Sequence, residues 1–289
     1  MKVTKKAHAK VNLCLNVFLK NEQGFHDLES LVVTVDLYDK ITLTSRRDNK
    51  VTLKVTGTNR DYIYNHIPQK DNAYKAVLAY MQEYGTTGAD ILLQKNIPSS
   101  SGMGGSSTCA STALLCMEEI YKKGADLPAL ANSLGSDTNY LLKGGWAILK
   151  GRGDNVEYLN VNKKLQIVAI FPEGGVDTTA CFKKFDEMNL ASESVVNSDI
   201  GALINSLSEE EIAFSECKNA LQAPACEING EVKRAIDFAH TLSPRAVFMT
   251  GSGSTVCMLF DYEGLNRWAL EKCKQAGFNA ELLTTVTPK

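Results

Sequence analysis

A glycine- and serine-rich segment at residues 98–108, followed directly by an apolar pattern with helical spacing, constrains this chain more than any other feature. Its small side chains allow backbone N–H groups to approach an anion, and its glycines supply the left-handed φ angles of a concave loop. The pattern predicts a helix whose first turn contains Ser106 and Ser107 and which stops at Gly124. Unpaired N–H groups and the helix dipole favour a phosphate at such a start, so we interpret the segment as a phosphate-binding loop. The apolar helical positions are Ala110, Ala113, Leu114, Met117 and Tyr121.

Three other interpretations of this loop have less support. A Walker A loop has a lysine after its glycines, and none follows here. A dinucleotide-binding fingerprint has a third glycine where Ser107 stands, and it opens the first strand–helix unit of a chain. A flexible linker would suit the composition, but the amphipathic helix directly behind the loop argues against one.

Length and composition set broad limits on the protein. With 289 residues the chain can form two lobes with proper cores, and its 44% apolar and 22% charged residues are ordinary for a globular protein. A net charge of −2 gives no overall attraction to nucleic acid or to an anionic membrane, so any anion site is local. The N-terminus lacks the apolar core of a signal peptide, and no apolar run reaches the length of a membrane span. We expect a cytoplasmic protein with no nucleic-acid or membrane partner.

The cysteine and histidine patterns argue against disulfides and structural zinc. Eight cysteines are scattered without a Cys-x-x-Cys pair and lie mostly among apolar neighbours. That distribution favours reduced core thiols over a disulfide framework. The four histidines are too far apart in sequence to suggest a metal cluster.

Strict alternation over residues 7–17 predicts a strand with one apolar face. Lys10 and Asn12 then lie side by side on the polar face, for which a solvated strand surface is the ordinary explanation. Residues 24–26 predict a turn that carries Phe25 and His26. Strands are predicted at residues 28–37 and 40–45, joined by a turn at Asp39, and at residues 51–55.

The middle of the chain alternates between helices and strands. Asn72 opens a predicted helix that Gly85 ends, and a strand at residues 90–94 leads into the glycine loop. Asp126 is expected to cap a helix that runs to residue 134. Asp137 stands at the start of the next predicted helix, residues 138–143, where its ordinary role would be an N-cap.

A second lobe is predicted from about residue 164 onward. Its β-α-β-β-α-β order indicates a ferredoxin-like sandwich with extra helices between residues 185 and 240. A second glycine loop, residues 250–255, lies between its middle strands. Two such loops in one chain favour a nucleotide cleft between the lobes. The predicted elements are strands 165–171, 246–250, 255–260 and 278–286, and helix 264–276.

Three segments resemble, in order, the three motifs of the GHMP kinases, the superfamily of galactokinase, homoserine kinase and mevalonate kinase. They are residues 9–15, 98–110 and 249–255, which together span nearly the whole chain. Within that family, residues 24–28 resemble the members that phosphorylate a cytidine-diphospho alcohol in non-mevalonate isoprenoid precursor synthesis.

The resemblance implies an α+β fold with two lobes. These are an S5-like, ATP-binding N-terminal lobe (residues 1–160) and a ferredoxin-like C-terminal lobe (residues 161–289) with a helical insertion. It also implies an ATP-dependent small-molecule kinase that uses Mg²⁺ and transfers the γ-phosphoryl group to a substrate hydroxyl. We expect a monomer or a homodimer.

The resemblance also implies roles for individual residues. Asp137 would orient the hydroxyl and take its proton, while Lys10 would keep the aspartate ionised and offset charge on the transferring phosphoryl group. The Ser107 hydroxyl would contact Mg²⁺ or phosphate, Phe25 would stack on a pyrimidine, and His26 would hydrogen-bond its polar edge. The implied ATP-binding residues are Asn72, Lys95, Pro98, Gly102, Met103, Gly104, Gly105, Ser106, Ser107 and Thr108. The implied substrate-binding residues are Asn12, Phe25, His26, Thr178, Phe182, Gly251, Ser252 and Gly253.

Two alternatives stay open at this point. The acceptor could be another small alcohol, such as a mevalonate-like or homoserine-like one, although Phe25 and His26 favour a cytidine-bearing substrate. The chain could also be a catalytically silent ligand sensor. The presence of both Lys10 and Asp137 argues against a silent protein.

Overall fold

The fold is α+β, with two β-sheets and helices packed on both. The computed structural model describes residues 1–58, 67–190, 198–209 and 211–287. The strands are β1 (Lys2–Lys20), β2 (His26–Ser45), β3 (Thr52–Gly57), β4 (Ala89–Lys95), β5 (Ala147–Gly151), β6 (Asn155–Tyr158), β7 (Gln166–Ile170), β8 (Ala246–Met249), β9 (Val256–Leu259) and β10 (Ala280–Thr284). The helices are α1 (Asn72–Tyr84), α2 (Gly105–Tyr121), α3 (Leu127–Leu134), α4 (Ser136–Tyr140), α5 (Thr178–Glu187), α6 (Ile200–Ser206), α7 (Gln222–Ile228), α8 (Gly230–Thr241) and α9 (Glu263–Gln275). Short 3₁₀ helices lie at Pro68–Lys70 and Phe214–Glu216.

The first sheet is built around β2, which pairs antiparallel with β1, β4 and β5. β3 pairs parallel with β4, and β6 pairs antiparallel with β5. The predicted turn at Asp39 is wrong, because β2 runs unbroken through that residue. Asp39 is fully buried, pairs with the Lys95 ammonium, and accepts the backbone N–H groups of Asn96 and Ile97. Long-range partners satisfy its carboxylate, so its preference for turns is overridden.

The alternation along β1 is interrupted. Register shifts against β2 occur between His8 and Lys10 and between Asn12 and Cys14. As a result, the six residues expected on one apolar face divide between packing regions: Ala7 packs with α1 and α2, whereas Val11 packs toward the second sheet. The expected solvated face is also wrong, since Lys10 and Asn12 are both buried.

Helix bounds follow local signals closely. α1 starts at Asn72 behind the N-cap Asp71 and ends at Gly85 in the left-handed conformation, and Asp126 caps α3, both as predicted. α2 instead ends at Tyr121, and its C-cap Lys122 takes the left-handed conformation, so the predicted stop at Gly124 is wrong.

The second sheet has the strand order β10-β7-β9-β8, with every pairing antiparallel. Helices α5 to α8 lie between β7 and β8 in the chain, and α9 lies between β9 and β10. This is the ferredoxin-like order that the sequence predicts. The two sheets share a hydrophobic core, in which Val33 of β2 belongs to the same cluster as Ile167 and Phe248. The lobe boundary at residues 160 and 161 stays a prediction.

All eight cysteines are free, and seven of them are buried. Burial raises the pKa of the Cys257 thiol to about 12 and that of Cys14 to about 12. These groups therefore behave as small protonated core side chains. Within the described ranges, no helix is long and apolar enough to cross a membrane.

We predict that Asp39→Asn lowers the free energy of unfolding by about 3 to 5 kcal/mol, because it removes a counter-charge from the buried Lys95 ammonium. Urea denaturation at neutral pH measures this change. Asp237→Asn is the control, since Asp237 forms an exposed pair with Lys233 and should change the midpoint little. Equal midpoints for the two variants would contradict the prediction.

Candidate functional site

A cleft of about 1080 Å³ opens where the first glycine loop meets the second. Residues 98–107 form one part of its lining and residues 251–253 another. The lining has two chemically different parts. Lys10 and Asp137 lie at the glycine loops, whereas Phe25, His26 and Phe182 form what we call the aromatic end. The cleft therefore combines polar backbone, an ion pair and aromatic surface.

The start of α2 provides the polar backbone. Its N-cap, Gly104, offers no side-chain acceptor. In the described part of the chain, the backbone N–H groups of Gly105, Ser106 and Ser107 have no acceptor. Three free donors and the positive end of a 17-residue helix thus lie in the cleft lining. This arrangement fits a phosphate group.

The two glycine loops touch through their backbones. Gly102 has φ +73°, and a Cβ there would overlap the carbonyl oxygen of Thr250. A Cβ at Gly251 would lie 2.7 Å from the Gly102 carbonyl oxygen. The backbone N–H groups of Ser254 and Thr255 donate to the carbonyls of residues 100 and 101, each at 3.2 Å. Glycine is therefore required for the loops to approach this closely.

Lys10 and Asp137 form the ion pair of the site. The Lys10 Nζ lies 3.6 Å from Asp137 Oδ2 and donates to Asn12 Oδ1 at 2.5 Å. The Lys10 side chain is 5% exposed and that of Asp137 is 29% exposed. Asn12 is itself held by Ser30 and Thr250, which fixes the amide that receives the ammonium. Asn12, predicted to bind substrate, is placed to position Lys10.

Asp137 does not cap a helix. Gly135 is the N-cap of α4, and no side-chain capping hydrogen bond is present there. The ordinary explanation of Asp137 as a capping residue is therefore wrong. Its partly exposed carboxylate, held beside a buried ammonium, can accept a proton or a hydrogen bond from a ligand in the cleft.

His26 anchors the aromatic end of the cleft. Its ring stacks on Phe182 with centroids 5.7 Å apart and meets Phe185 edge-on at 5.5 Å. Its Nδ1 lies 2.6 Å from the Phe18 carbonyl and its Nε2 lies 2.8 Å from Asp186 Oδ1. Both ring nitrogens therefore already have protein partners, and the role of His26 in binding a substrate stays a prediction.

Asp186 connects His26 to the ammonium of Lys20. Its Oδ2 accepts from Lys20 Nζ at 2.5 Å. Burial acts to raise the pKa of Asp186, but the hydrogen bonds from Lys20 and His26 outweigh burial and hold that pKa below its usual range. The carboxylate is therefore an ionised part of the aromatic end at neutral pH.

The structure brings most of the predicted residues into the cleft. Asn72 and Thr108 are exceptions: Asn72 opens α1 behind the capping Asp71, and Thr108 is buried. Lys95 lines the cleft, but its ammonium pairs with Asp39. The Thr178 hydroxyl lies 2.8 Å from that of Ser252. The lining contains these predicted residues: Lys10, Asn12, Phe25, His26, Lys95, Pro98, Gly102, Met103, Gly104, Gly105, Ser106, Ser107, Asp137, Thr178, Phe182, Gly251, Ser252 and Gly253.

Sequence reasoning missed several charged residues of the lining, among them Arg152 and Asp186. Arg152 lies in a Gly-Arg-Gly-Asp turn, and its position beside Phe25 depends on the pairing of β2 with β5. No local pattern distinguishes Asp186 from Glu187, the other acidic residue of α5. Among the described residues, no three His, Cys, Asp or Glu side chains come together as a metal-binding group.

Comparison with known proteins gives concordant results. The GHMP kinases N terminal domain matches residues 71–146. The chain is 31% identical to the 4-diphosphocytidyl-2-C-methyl-D-erythritol kinase of Clostridium beijerinckii, over 89% of this chain and 90% of the relative. It superposes on a crystal structure of 4-(cytidine 5'-diphospho)-2C-methyl-D-erythritol kinase with a TM-score of 0.81 and 27% identity, covering 98% of this chain and 99% of that one. A homoserine kinase structure from Cytophaga hutchinsonii, at 18% identity and a TM-score of 0.72 over 99% of this chain and 95% of that one, shares the fold.

We predict that Gly102→Ala weakens the contact between the two glycine loops, because the new methyl group would overlap the Thr250 carbonyl. Both the melting temperature and the affinity for a nucleoside triphosphate should fall, measured by calorimetry. Gly124→Ala is the matched control, since Gly124 has φ +65° but open space around it. That control should lose only about 1 to 2 kcal/mol of stability, the cost of an alanine in the left-handed conformation, and should keep its nucleotide affinity. Unchanged nucleotide affinity in Gly102→Ala would contradict the prediction.

We predict that the stabilising effect of Asp186 depends on pH. A carboxyl whose native pKa is lowered stabilises the fold fully above its ordinary pKa of about 4, and the effect is lost as the pH falls through the lowered value. The difference in unfolding free energy between the wild type and Asp186→Asn should therefore be largest near neutrality and shrink below about pH 4. Urea denaturation across this range measures it, with Asp261→Asn as an exposed control. A difference that stays constant with pH would contradict the prediction.

Proposed function

Because the chain belongs to the 4-diphosphocytidyl-2-C-methyl-D-erythritol kinase family of the GHMP kinases, we propose that it transfers the γ-phosphoryl group of ATP to the 2-hydroxyl of 4-diphosphocytidyl-2-C-methyl-D-erythritol. The observation that carries the proposal is the Lys10–Asp137 pair, which lies in one cleft with the uncapped start of α2 and an aromatic pocket. A phosphoryl donor, a proton acceptor and a surface for a base are all needed for this reaction.

ATP is proposed to place its phosphates against the loop of residues 102–107. The free N–H groups of Gly105, Ser106 and Ser107 support this position. Mg²⁺ would neutralise phosphate charge during transfer. The Ser107 hydroxyl is the proposed protein ligand.

Asp137 is proposed to orient the acceptor hydroxyl and to take its proton. The neighbouring Lys10 ammonium, which Asn12 holds in place, offsets charge on the transferring group. Lys10 lies in β1 and Asp137 in α4, and the contact between the two side chains positions them for the substrate before it binds.

The cytosine is proposed to bind at the aromatic end. Phe25 is 47% exposed and can stack on the base, and Phe182 supplies a second ring. The ring nitrogens of His26 contact the Phe18 carbonyl and Asp186. His26 would therefore support the pocket by stacking its ring on Phe182. For His26 to hydrogen-bond the base, its Nε2 would have to give up the contact with Asp186.

We predict that Asp137→Asn lowers kcat by about 10²- to 10⁴-fold, since the amide cannot accept the hydroxyl proton. ATP consumption with 4-diphosphocytidyl-2-C-methyl-D-erythritol measures the effect, and calorimetry should show that the affinities for both substrates are nearly unchanged. Asp261→Asn, which alters an exposed aspartate outside the cleft lining, should keep full activity.

A panel of acceptors separates the proposal from its alternatives. Turnover with homoserine or mevalonate, and none with the cytidine-diphospho substrate, would assign a different acceptor. ATP binding without turnover on any acceptor would identify a silent sensor. Full activity of Asp137→Asn would refute the role of Asp137 even if the substrate is right.

A further inference from the structure

The turn between β5 and β6 brings an arginine into the cleft. Arg152 lies between Gly151 and Gly153, and its backbone N–H donates to Asp154 Oδ1 at 3.1 Å. Gly153 is buried with φ +95°, and a Cβ there would lie 3.4 Å from the Ser136 Cβ. The turn is thereby held against the start of α4.

Arg152 extends from the neighbourhood of Asp137 to the ring of Phe25. The adjoining Gly153 packs next to Asp137, whose Oδ1 would lie 3.8 Å from a Cβ at that glycine. Consecutive Cα atoms are about 3.8 Å apart. The Arg152 Cα therefore lies one residue away from Gly153, the residue that packs beside the Lys10–Asp137 pair. In the other direction its guanidinium carbon lies 3.9 Å from the centroid of the Phe25 ring.

Arg152 differs from the other cations of the cleft in its charge pairing. Lys10, Lys20, Lys95 and Lys183 also line the cleft, and each has a carboxylate within 4.0 Å. In the portion of the chain that is described, no carboxylate or other acceptor pairs with the Arg152 guanidinium. Its five donors remain available to a ligand.

We propose that Arg152 binds the diphosphate of the acceptor substrate. This inference rests on the proposed function: a ligand with its base on Phe25 and its hydroxyl at Asp137 must place its diphosphate between them, where Arg152 lies. A planar guanidinium binds phosphate oxygens through two parallel hydrogen bonds. Arg152 is therefore a specificity-determining residue that selects acceptors carrying a diphosphate over a bare nucleoside.

Two other roles for Arg152 give different results. If the guanidinium only supports Phe25 by stacking, its loss weakens binding of cytidine and of cytidine diphosphate equally. If it acts on the transferring phosphoryl group, its loss lowers kcat and leaves the KM of the acceptor unchanged.

The test is calorimetric titration of the wild type, Arg152→Gln and Arg152→Lys with cytidine and with cytidine diphosphate. A non-hydrolysable ATP analogue saturates the ATP site, so that cytidine diphosphate cannot bind there. Arg152→Gln is expected to lose roughly 10- to 100-fold in affinity for cytidine diphosphate, as for other hydrogen bonds to charged groups, and none for cytidine. Arg152→Lys should lose less, because it keeps the charge. Arg267→Gln, an exposed arginine of α9 paired with Glu263, should change neither affinity.

Kinetics provide a second measurement. Arg152→Gln should raise the KM of the acceptor by a similar factor, with kcat and the KM of ATP nearly constant. Equal losses for both ligands, unchanged affinity for cytidine diphosphate, or a fall in kcat alone would each overturn the proposal. A wild-type protein that binds neither ligand would instead refute the proposed function, and this inference with it.

Discussion

The site depends on a backbone contact between two loops that lie about 150 residues apart in the chain. Gly102 and Gly251 pack without side chains between them, and hydrogen bonds from Ser254 and Thr255 to the first loop close the contact. One loop comes from the first sheet and the other joins β8 to β9 of the second sheet. The floor of the cleft is therefore shared by both sheets, and the common core beneath it keeps them together.

Lys10 is buried next to that contact, between Gly104 of the first loop and Gly251 of the second. A buried ammonium is stable only with paired and hydrogen-bonding partners. Asn12 and Asp137 provide them, and Asn12 is held in turn by Ser30 of β2 and Thr250 of the second loop. The polar network at the centre of the site thus draws on both sheets. For this reason the orientation of the ammonium depends on the whole fold rather than on β1 alone.

Local patterns predicted much of the architecture. The bounds of α1, the cap of α3 and the order of strands and helices along the second lobe rest on capping residues, glycines and hydrophobic periodicity, which act over a few residues. The errors share another cause. Asp39 stays in a strand because Lys95 and the backbone of residues 96 and 97 satisfy it, and the alternation of β1 is interrupted where its register shifts against β2. Neither partner is visible in the local sequence.

The sequence by itself determined the elements, the two glycine loops and the residue types that a phosphoryl-transfer site needs, because backbone preferences and motif spacing are properties of short segments. Only the tertiary structure decided that Lys10 is buried beside Asp137, that both ring nitrogens of His26 are engaged, and that Arg152 lies over Phe25 without a carboxylate partner among the described residues. Burial and charge pairing join groups that are distant along the chain, so these properties arise only when the two sheets pack together.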